Sequence, residues 1–179
     1  MPYFIGIPIA IEKLSFNPIE PYREIPKDKL HITLVYIGSL KSSEVSAIKE
    51  TLDRITSRHK RFKVVLRGVV ALPSSSKPRY LALAVIQRGE RLSKLRMEII
   101  TELINAGIVP KDSYLTDFKP HVTFAEARVK PRDIPHRTLE RVLKQGKRIE
   151  EEVEVEEVVL YDSSKGIYKI VSRHKLLSS

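Results

Sequence analysis

Two short stretches of the chain repeat one pattern, His31-Ile32-Thr33-Leu34 and His121-Val122-Thr123-Phe124. In extended backbone, residues i and i+2 point to the same face. His31 and Thr33 then share one face, while Ile32 and Leu34 take the other. The same holds for His121 and Thr123 against Val122 and Phe124. An imidazole titrates near pH 6.5, so one ring of a pair can be neutral while the other is protonated. One can take a proton from a nucleophile as the other protonates a leaving oxygen, each contributing about two to four orders of magnitude in rate. A Thr hydroxyl is a short, uncharged donor. Two of them can hold the non-bridging oxygens of one phosphate and follow the charge that develops there. The four groups suit displacement at phosphorus without a metal. A zinc site is the competing reading, but two His leave it short of ligands and no carboxylate stands at HExxH-like spacing, so no metal is expected.

A third stretch, His136-Arg137-Thr138-Leu139, fits the same letters but not the same chemistry. Arg137 interrupts the apolar alternation, and the segment leads into a helical pattern, where i and i+2 do not share a face. It reads as surface, with Thr138 as a helix cap. Glycine-rich phosphate loops and GxSxG elbows are absent from the sequence, so Ser75, Ser76, Ser163 and Ser164 read as turn residues.

The elements that must carry the two motifs follow from periodicity. Tyr3 to Ile9 and Leu30 to Ile37 read as strands. Val45, Ile48, Leu52 and Ile55 fall at helical spacing behind Ser42 and Ser43, which can cap. Phe62 to Leu72 reads as a strand, Pro73 to Pro78 as a loop, and Arg79 to Ile86 as a strand. Leu92, Leu95, Ile99 and Leu103 make a second helix ending near Asn105-Ala106-Gly107. Lys119 to Ala125 is a strand, Leu139, Val142 and Leu143 a short helix. Glu150 to Leu160 alternates as one strand, and Ile167 to Arg173 follows the loop Asp162 to Gly166.

The order repeats, and so do residues. Leu72-x-x-Ser75-Ser76-Lys77-x-x-Tyr80 matches Leu160-x-x-Ser163-Ser164-Lys165-x-x-Tyr168 at an offset of 88, and Lys29-Leu30-His31 matches Lys119-Pro120-His121 at an offset of 90. Both offsets are close to half of the 179 residues. Duplication is the expected origin. The expected fold is α+β: a bilobal, duplicated domain over 1–179, with two antiparallel sheets lining a central cleft and helices outside.

Composition bounds the rest. There are no cysteines, which excludes disulfides, thiolate metal sites and Cys nucleophiles. The absence of an 18-residue apolar run argues against a spanning helix. The N-terminus lacks a basic region and is broken by Pro, so the cytosol is the expected compartment. Lys and Arg number 32 against 22 Asp and Glu, a net charge of +10 that points to a polyanionic partner, above all nucleic acid. Few Asn, Gln and Met accompany this charge, as in heat-adapted proteins.

The paired motifs resemble the signature of the 2H phosphoesterase superfamily, and within it the RNA 2′,3′-cyclic phosphodiesterases, also called 2′-5′ RNA ligases. The opening strand Tyr3-Phe4-Ile5-Gly6-Ile7, the approach Ile25 to Leu30, Ile37-Gly38, Lys77 to Leu81 and the hairpin at Leu160 to Ser163 support it. A monomer is the expected state, and the resemblance implies a bilobal α+β fold. It also implies hydrolysis of a terminal 2′,3′-cyclic phosphate on RNA to a 2′-phosphomonoester, without a cofactor, and with 2′-5′ ligation as an accompanying activity. It makes His31 the proton donor, His121 the proton acceptor, and Thr33 and Thr123 the phosphate ligands. Relatives commonly carry Arg two residues beyond the second motif, where this chain has Glu126. Arg128, two further on in an extended strand, is the candidate to replace it.

Two other readings stand beside this one: a different 2H specificity, such as 2′-5′ oligonucleotides or a small cyclic nucleotide, and a non-catalytic RNA-binding module. Lys27, Lys29, Lys77, Arg79, Lys119, Lys130 and Arg132 are candidate guides for RNA. Phe4, Tyr36 and Tyr80 are candidate stacking partners for a base.

Overall fold

The computed structural model describes residues 2–12 and 19–178. Its strands are β1 (Pro2–Pro8), β2 (Tyr22–Glu24), β3 (His31–Ser39), β4 (Phe62–Ser74), β5 (Lys77–Gln87), β6 (His121–Ala127), β7 (Glu150–Val155), β8 (Glu157–Asp162) and β9 (Lys169–Lys175). Three α-helices, α1 (Ser42–Thr56), α2 (Arg91–Asn105) and α3 (His136–Gly146), complete the described elements together with short 3-10 turns.

The strands run β7-β4-β5-β6-β3-β1-β8-β9, with β2 added beside β6. All named pairings are antiparallel. The two motif strands lie at the middle of this order, and the pairing between them consists of Ile32 opposite Val122. The nine strands thus form one antiparallel sheet rather than the two expected, narrowed to a single residue pair at a seam between the two His-x-Thr motifs, with β7, β4, β5, β6 and β2 on one side and β3, β1, β8 and β9 on the other. Neither side of the seam belongs to one half of the chain. β4 and β5, from the first half, pair with β6 and β7 from the second, while β8 and β9 return to β1 and β3.

Burial follows the alternation. Ile32, Leu34, Val122 and Phe124 are buried, while His31, Thr33, His121 and Thr123 are half-buried on the opposite face. The core continues through the helices: Ile48, Leu52 and Ile55 of α1, and Leu92, Leu95, Ile99 and Leu103 of α2, are fully covered. α1 packs on α2 and against β8 and β9, and α3 packs on β4. Gly6 allows β1 to lie close to β3, since a Cβ there would stand 2.8 Å from the Ile32 carbonyl oxygen.

Several boundaries differ from the sequence reading. Glu150 to Leu160 is two strands, not one. β7 pairs with β4 and β8 with β1, on opposite sides of the seam. The break falls at Glu156, where alternation of Val and Glu gives way to the run Val158-Val159-Leu160, buried on both faces. The expected loop from Pro73 to Pro78 is a tight hairpin, with Ser74 opposite Lys77. The last strand starts at Lys169, and Ile167 and Tyr168 belong to the loop before it. Ser42 and Ser43 do not cap α1; the Lys41 N–H is donated to the Glu44 carboxylate at 2.7 Å. Thr138 lies inside the first turn of α3 rather than at its cap, and His136 is the exposed first residue of that helix. β2, three residues long, carries too little periodicity to be read from sequence.

Candidate active site

The single pair Ile32–Val122 decides where the polar groups meet. In that antiparallel register His31 lies toward Thr123 and Thr33 toward His121. The two histidines are then diagonal neighbours, about 7–8 Å apart along the backbone for paired strands and somewhat less at Cβ, which leaves room for a phosphate between the rings. His31, Thr33, His121 and Thr123 line one cleft of about 340 Å³. Lys29, Tyr80, Glu126 and Tyr168 join them, with Ile25 and Leu72.

Both imidazoles are held in the same way. His31 Nδ1 lies 2.8 Å from the Lys29 carbonyl oxygen, and His121 Nδ1 lies 2.8 Å from the Lys119 carbonyl oxygen. A carbonyl can only accept, so each Nδ1 carries a hydrogen. In the neutral ring Nε2 is then the unprotonated nitrogen, with a lone pair available to take a proton. Among the described residues, neither the Thr33 nor the Thr123 hydroxyl has a hydrogen-bond partner. Both remain available to a ligand.

The surroundings of the two rings differ. His31 sits among three aromatic rings: Phe4 at 5.0 Å between centroids, Tyr161 at 5.6 Å, and Tyr168 at 5.2 Å edge-on. Burial in this cage lowers the pKa of His31, the Lys29 carbonyl raises it in part, and the charge of His121 lowers it further. Burial also pushes the Tyr161 phenol up to about 12, and it raises that of Tyr168, with Tyr80 and Glu126 adding to the effect. Phe4 stacks on Tyr161 with centroids 4.7 Å apart and is buried, so it belongs to the cage rather than to a base-binding surface. Tyr36 does not line the cleft, and its N–H is donated to the Asp112 carboxylate at 3.0 Å.

Glu126 enters the cleft because the register of β5 and β6 shifts. Leu81 is opposite Ala125 and Ala82 opposite Thr123, so β6 carries one extra residue across that step. The alternation inverts there, Phe124 and Ala125 are both buried, and Glu126 takes the cleft face opposite Tyr80. Arg79 donates to the Glu126 carboxylate at 3.3 Å, and its guanidinium lies 5.1 Å from the centre of the Tyr80 ring. The end of β6 at Ala127 undoes the expected place of Arg128. That residue lies beyond the end of β6, is exposed, donates its N–H to the Pro21 carbonyl, and does not line the cleft.

Sequence reasoning missed the cage residues Tyr161 and Tyr168 as parts of the site. The match of Tyr168 to Tyr80 in the duplicated pattern is the signal that could have found it. Arg96 was missed as well. It is buried and donates to the carbonyl oxygens of Leu34 at 2.8 Å, Tyr114 at 2.9 Å and Leu115 at 3.3 Å. It thereby fastens the segment before His121 to the strand that carries His31. A second constellation also has catalytic letters. Ser172 Oγ lies 2.8 Å from His174 Nε2, and His174 Nδ1 lies 2.6 Å from Asp53 Oδ1. His174 is buried and does not line the cleft, and the contact ties β9 to α1. Among the described residues, no three His, Asp or Glu gather as they would around a metal ion. No helix among them is long and apolar enough to cross a membrane.

Comparison with known proteins adds to this geometry. The sequence model of the 2′-5′ RNA ligase superfamily matches residues 10–167. The chain is 27% identical over 141 residues to the RNA 2′,3′-cyclic phosphodiesterase of Aquifex aeolicus, covering 78% of this chain and 72% of that protein. It is 32% identical over 108 residues to that of Aeropyrum pernix, covering 60% of this chain and 58% of the relative. In fold it resembles the crystal structure of TT0787 of Thermus thermophilus, with a TM-score of 0.71 at 20% identity over 98% of both chains. It also resembles E. coli LigT complexed with 3′-AMP, with a TM-score of 0.65 at 20% identity over 97% of both.

Proposed function

The chain belongs to the 2′-5′ RNA ligase superfamily, and from that membership we propose that it hydrolyses RNA 2′,3′-cyclic phosphate ends to 2′-phosphomonoesters, as a single domain of two pseudo-symmetric lobes over residues 1–179. The curated relatives are named for this cyclic phosphodiesterase activity. The observation that carries the reading is the matched pair of histidines, each anchored through Nδ1 to a main-chain carbonyl, in one cleft with two unpartnered Thr hydroxyls.

In this reading the cyclic phosphate sits at the seam, its non-bridging oxygens against Thr33 and Thr123. His121 Nε2 takes a proton from water as the water oxygen bonds to phosphorus. The P–O3′ bond breaks, and His31 gives its proton to O3′, leaving a 2′-phosphate and a free 3′-hydroxyl. Lys29, at the cleft and with no ion pair among the described residues, adds positive charge where the phosphate lies. Burial favours the neutral form of His31 in the free protein. The phosphate anion opposite it supplies the charge that lets this ring hold its proton until transfer.

The test is to incubate a short RNA ending in a 2′,3′-cyclic phosphate with the protein in EDTA, beside the His31→Ala/His121→Ala double variant. A 2′-phosphate formed by the wild type alone is expected. Equal turnover by the folded double variant, or a 3′-phosphate product, overturns the assignment.

A further inference from the structure

The seven cations singled out as guides for RNA are sorted by the structure. Lys27 donates to the Glu12 carbonyl at 2.7 Å, Lys119 pairs with Asp117 at 3.2 Å, and Arg79 pairs with Glu126 at 3.3 Å. Lys29 lines the cleft itself. The remaining three, Lys77, Lys130 and Arg132, come together with Ser76 and Pro131 around a second cavity of about 430 Å³. No carboxylate lines it. Lys77 and Lys130 have no ion pair among the described residues, and Arg132 has one contact at 3.9 Å with Asp133.

This cavity is reached along the wall of the first. Tyr80 and Glu126 are cross-strand partners, and both line the cleft. Lys77 precedes Tyr80 by three residues on β5, about 10 Å in extended backbone. Lys130 follows Glu126 by four, and the turn at Pro131–Asp133 packs on β5. A strand whose cyclic end lies between His31 and His121 and which runs toward the β4–β5 hairpin brings its earlier phosphodiesters to the three cations. The cavity has no aromatic ring to stack a base, so what it recognises is charge.

We propose that Lys77, Lys130 and Arg132 form a second, sequence-independent subsite for the RNA phosphates 5′ of the cyclic end, making a polynucleotide rather than a mononucleotide the preferred substrate. The proposal rests on the reading of the cleft given above. The binding arm of its test does not.

The variant is Lys77→Ala/Lys130→Ala/Arg132→Ala. Its control is Lys63→Ala/Arg88→Ala/Lys94→Ala, which removes equal charge at the other end of the β4–β5 pair and in α2. Cytidine 2′,3′-cyclic monophosphate and a ten-nucleotide RNA with a 2′,3′-cyclic end are the substrates. The subsite variant is expected to keep kcat and KM for the mononucleotide within about twofold while KM for the RNA rises. For single strands each phosphate contact contributes about 0.7 to the slope of log affinity against log salt, so three contacts contribute about 2. From 50 to 200 mM salt the wild type then loses roughly 20-fold more affinity for the RNA than the variant does. Equal damage to both substrates, an unchanged RNA KM and salt slope, or the same effect from the control triple each overturn the subsite. If the wild type turns over neither substrate, the catalytic reading fails, and fluorescence anisotropy of the labelled RNA against the same variants still decides the subsite by the same salt slope.

Discussion

Replacing Thr33 by Val removes one hydroxyl and keeps the branched shape of the side chain. In the folded protein that hydroxyl has no partner among the described residues, so its removal leaves no buried group unsatisfied, and stability is expected to change by less than about 0.5 kcal/mol. Activity is expected to change far more. A hydrogen bond to a charged acceptor contributes about 1.5–3 kcal/mol. At 1.36 kcal/mol per decade this is a loss of roughly 13- to 160-fold in kcat/KM. Thr123→Val is expected to lose a similar factor, because the two positions have the same burial and the same freedom. Thr56 supplies the contrast. It is buried, and its hydroxyl donates to the Leu52 carbonyl at 2.9 Å. Thr56→Val should lose about 1 kcal/mol of stability and no activity. The assay is steady-state hydrolysis of an RNA with a 2′,3′-cyclic end, with thermal unfolding followed by circular dichroism on the same samples. A change below threefold for both cleft threonines at unchanged Tm refutes the assignment. So does a large drop in Tm for Thr33→Val, which would mean that the hydroxyl serves the fold.

Two more outcomes follow from the surroundings of the motif. Tyr168→Ala opens one wall of the cage around His31, and the ring regains water. Its pKa is expected to move up toward the ordinary value, so the protonated form survives to higher pH and the corresponding limb of the rate profile moves the same way. An NMR titration of His31 that moves down or stays fixed contradicts this. By linkage, a depressed folded-state pKa gives stability that is present above the unfolded value near 6.5 and lost as pH falls through the folded one. Wild-type stability should therefore decline on acidification below about 6.5, and Tyr168→Ala should soften that dependence. Arg96→Ala removes two short charged hydrogen bonds and is expected to cost about 3 kcal/mol or more. At roughly 2–4 °C per kcal/mol, Tm falls by about 6–12 °C, and hydrogen exchange rises in the segment around Tyr114 and Leu115. Arg96→Lys should recover less than half, because an ammonium cannot serve three carbonyls in a fork. An intact Tm in Arg96→Ala sinks this role.

Much of the site was legible because it depends on local periodicity. A two-residue alternation is a property of one strand. It placed His31 with Thr33 and His121 with Thr123 before any strand was paired, and the buried faces Ile32, Leu34, Val122 and Phe124 agree. The four polar residues named from sequence line one cleft. The helices at Ile48 to Ile55 and Leu92 to Leu103 were legible for the same reason. What failed was whatever depended on a partner. Glu150 to Leu160 looks continuous along the chain, but its two parts pair with strands on opposite sides of the seam. Arg128 shares the face of Glu126 only if the strand runs on past it, and β6 ends at Ala127, where the Arg128 N–H is donated to the Pro21 carbonyl.

The amino-acid sequence by itself thus determined the candidate groups, their pairing on strand faces, the excess of positive charge and the order of most elements. Only the tertiary structure decided that the two histidines are unequal. Their local frames are the same, down to the 2.8 Å contact with a carbonyl two residues earlier. Phe4, Tyr161 and Tyr168 come from the two ends of the chain and close around one ring alone. Desolvation is set by what packs against a group, and that depends on cross-strand register and chain return, which no local pattern encodes.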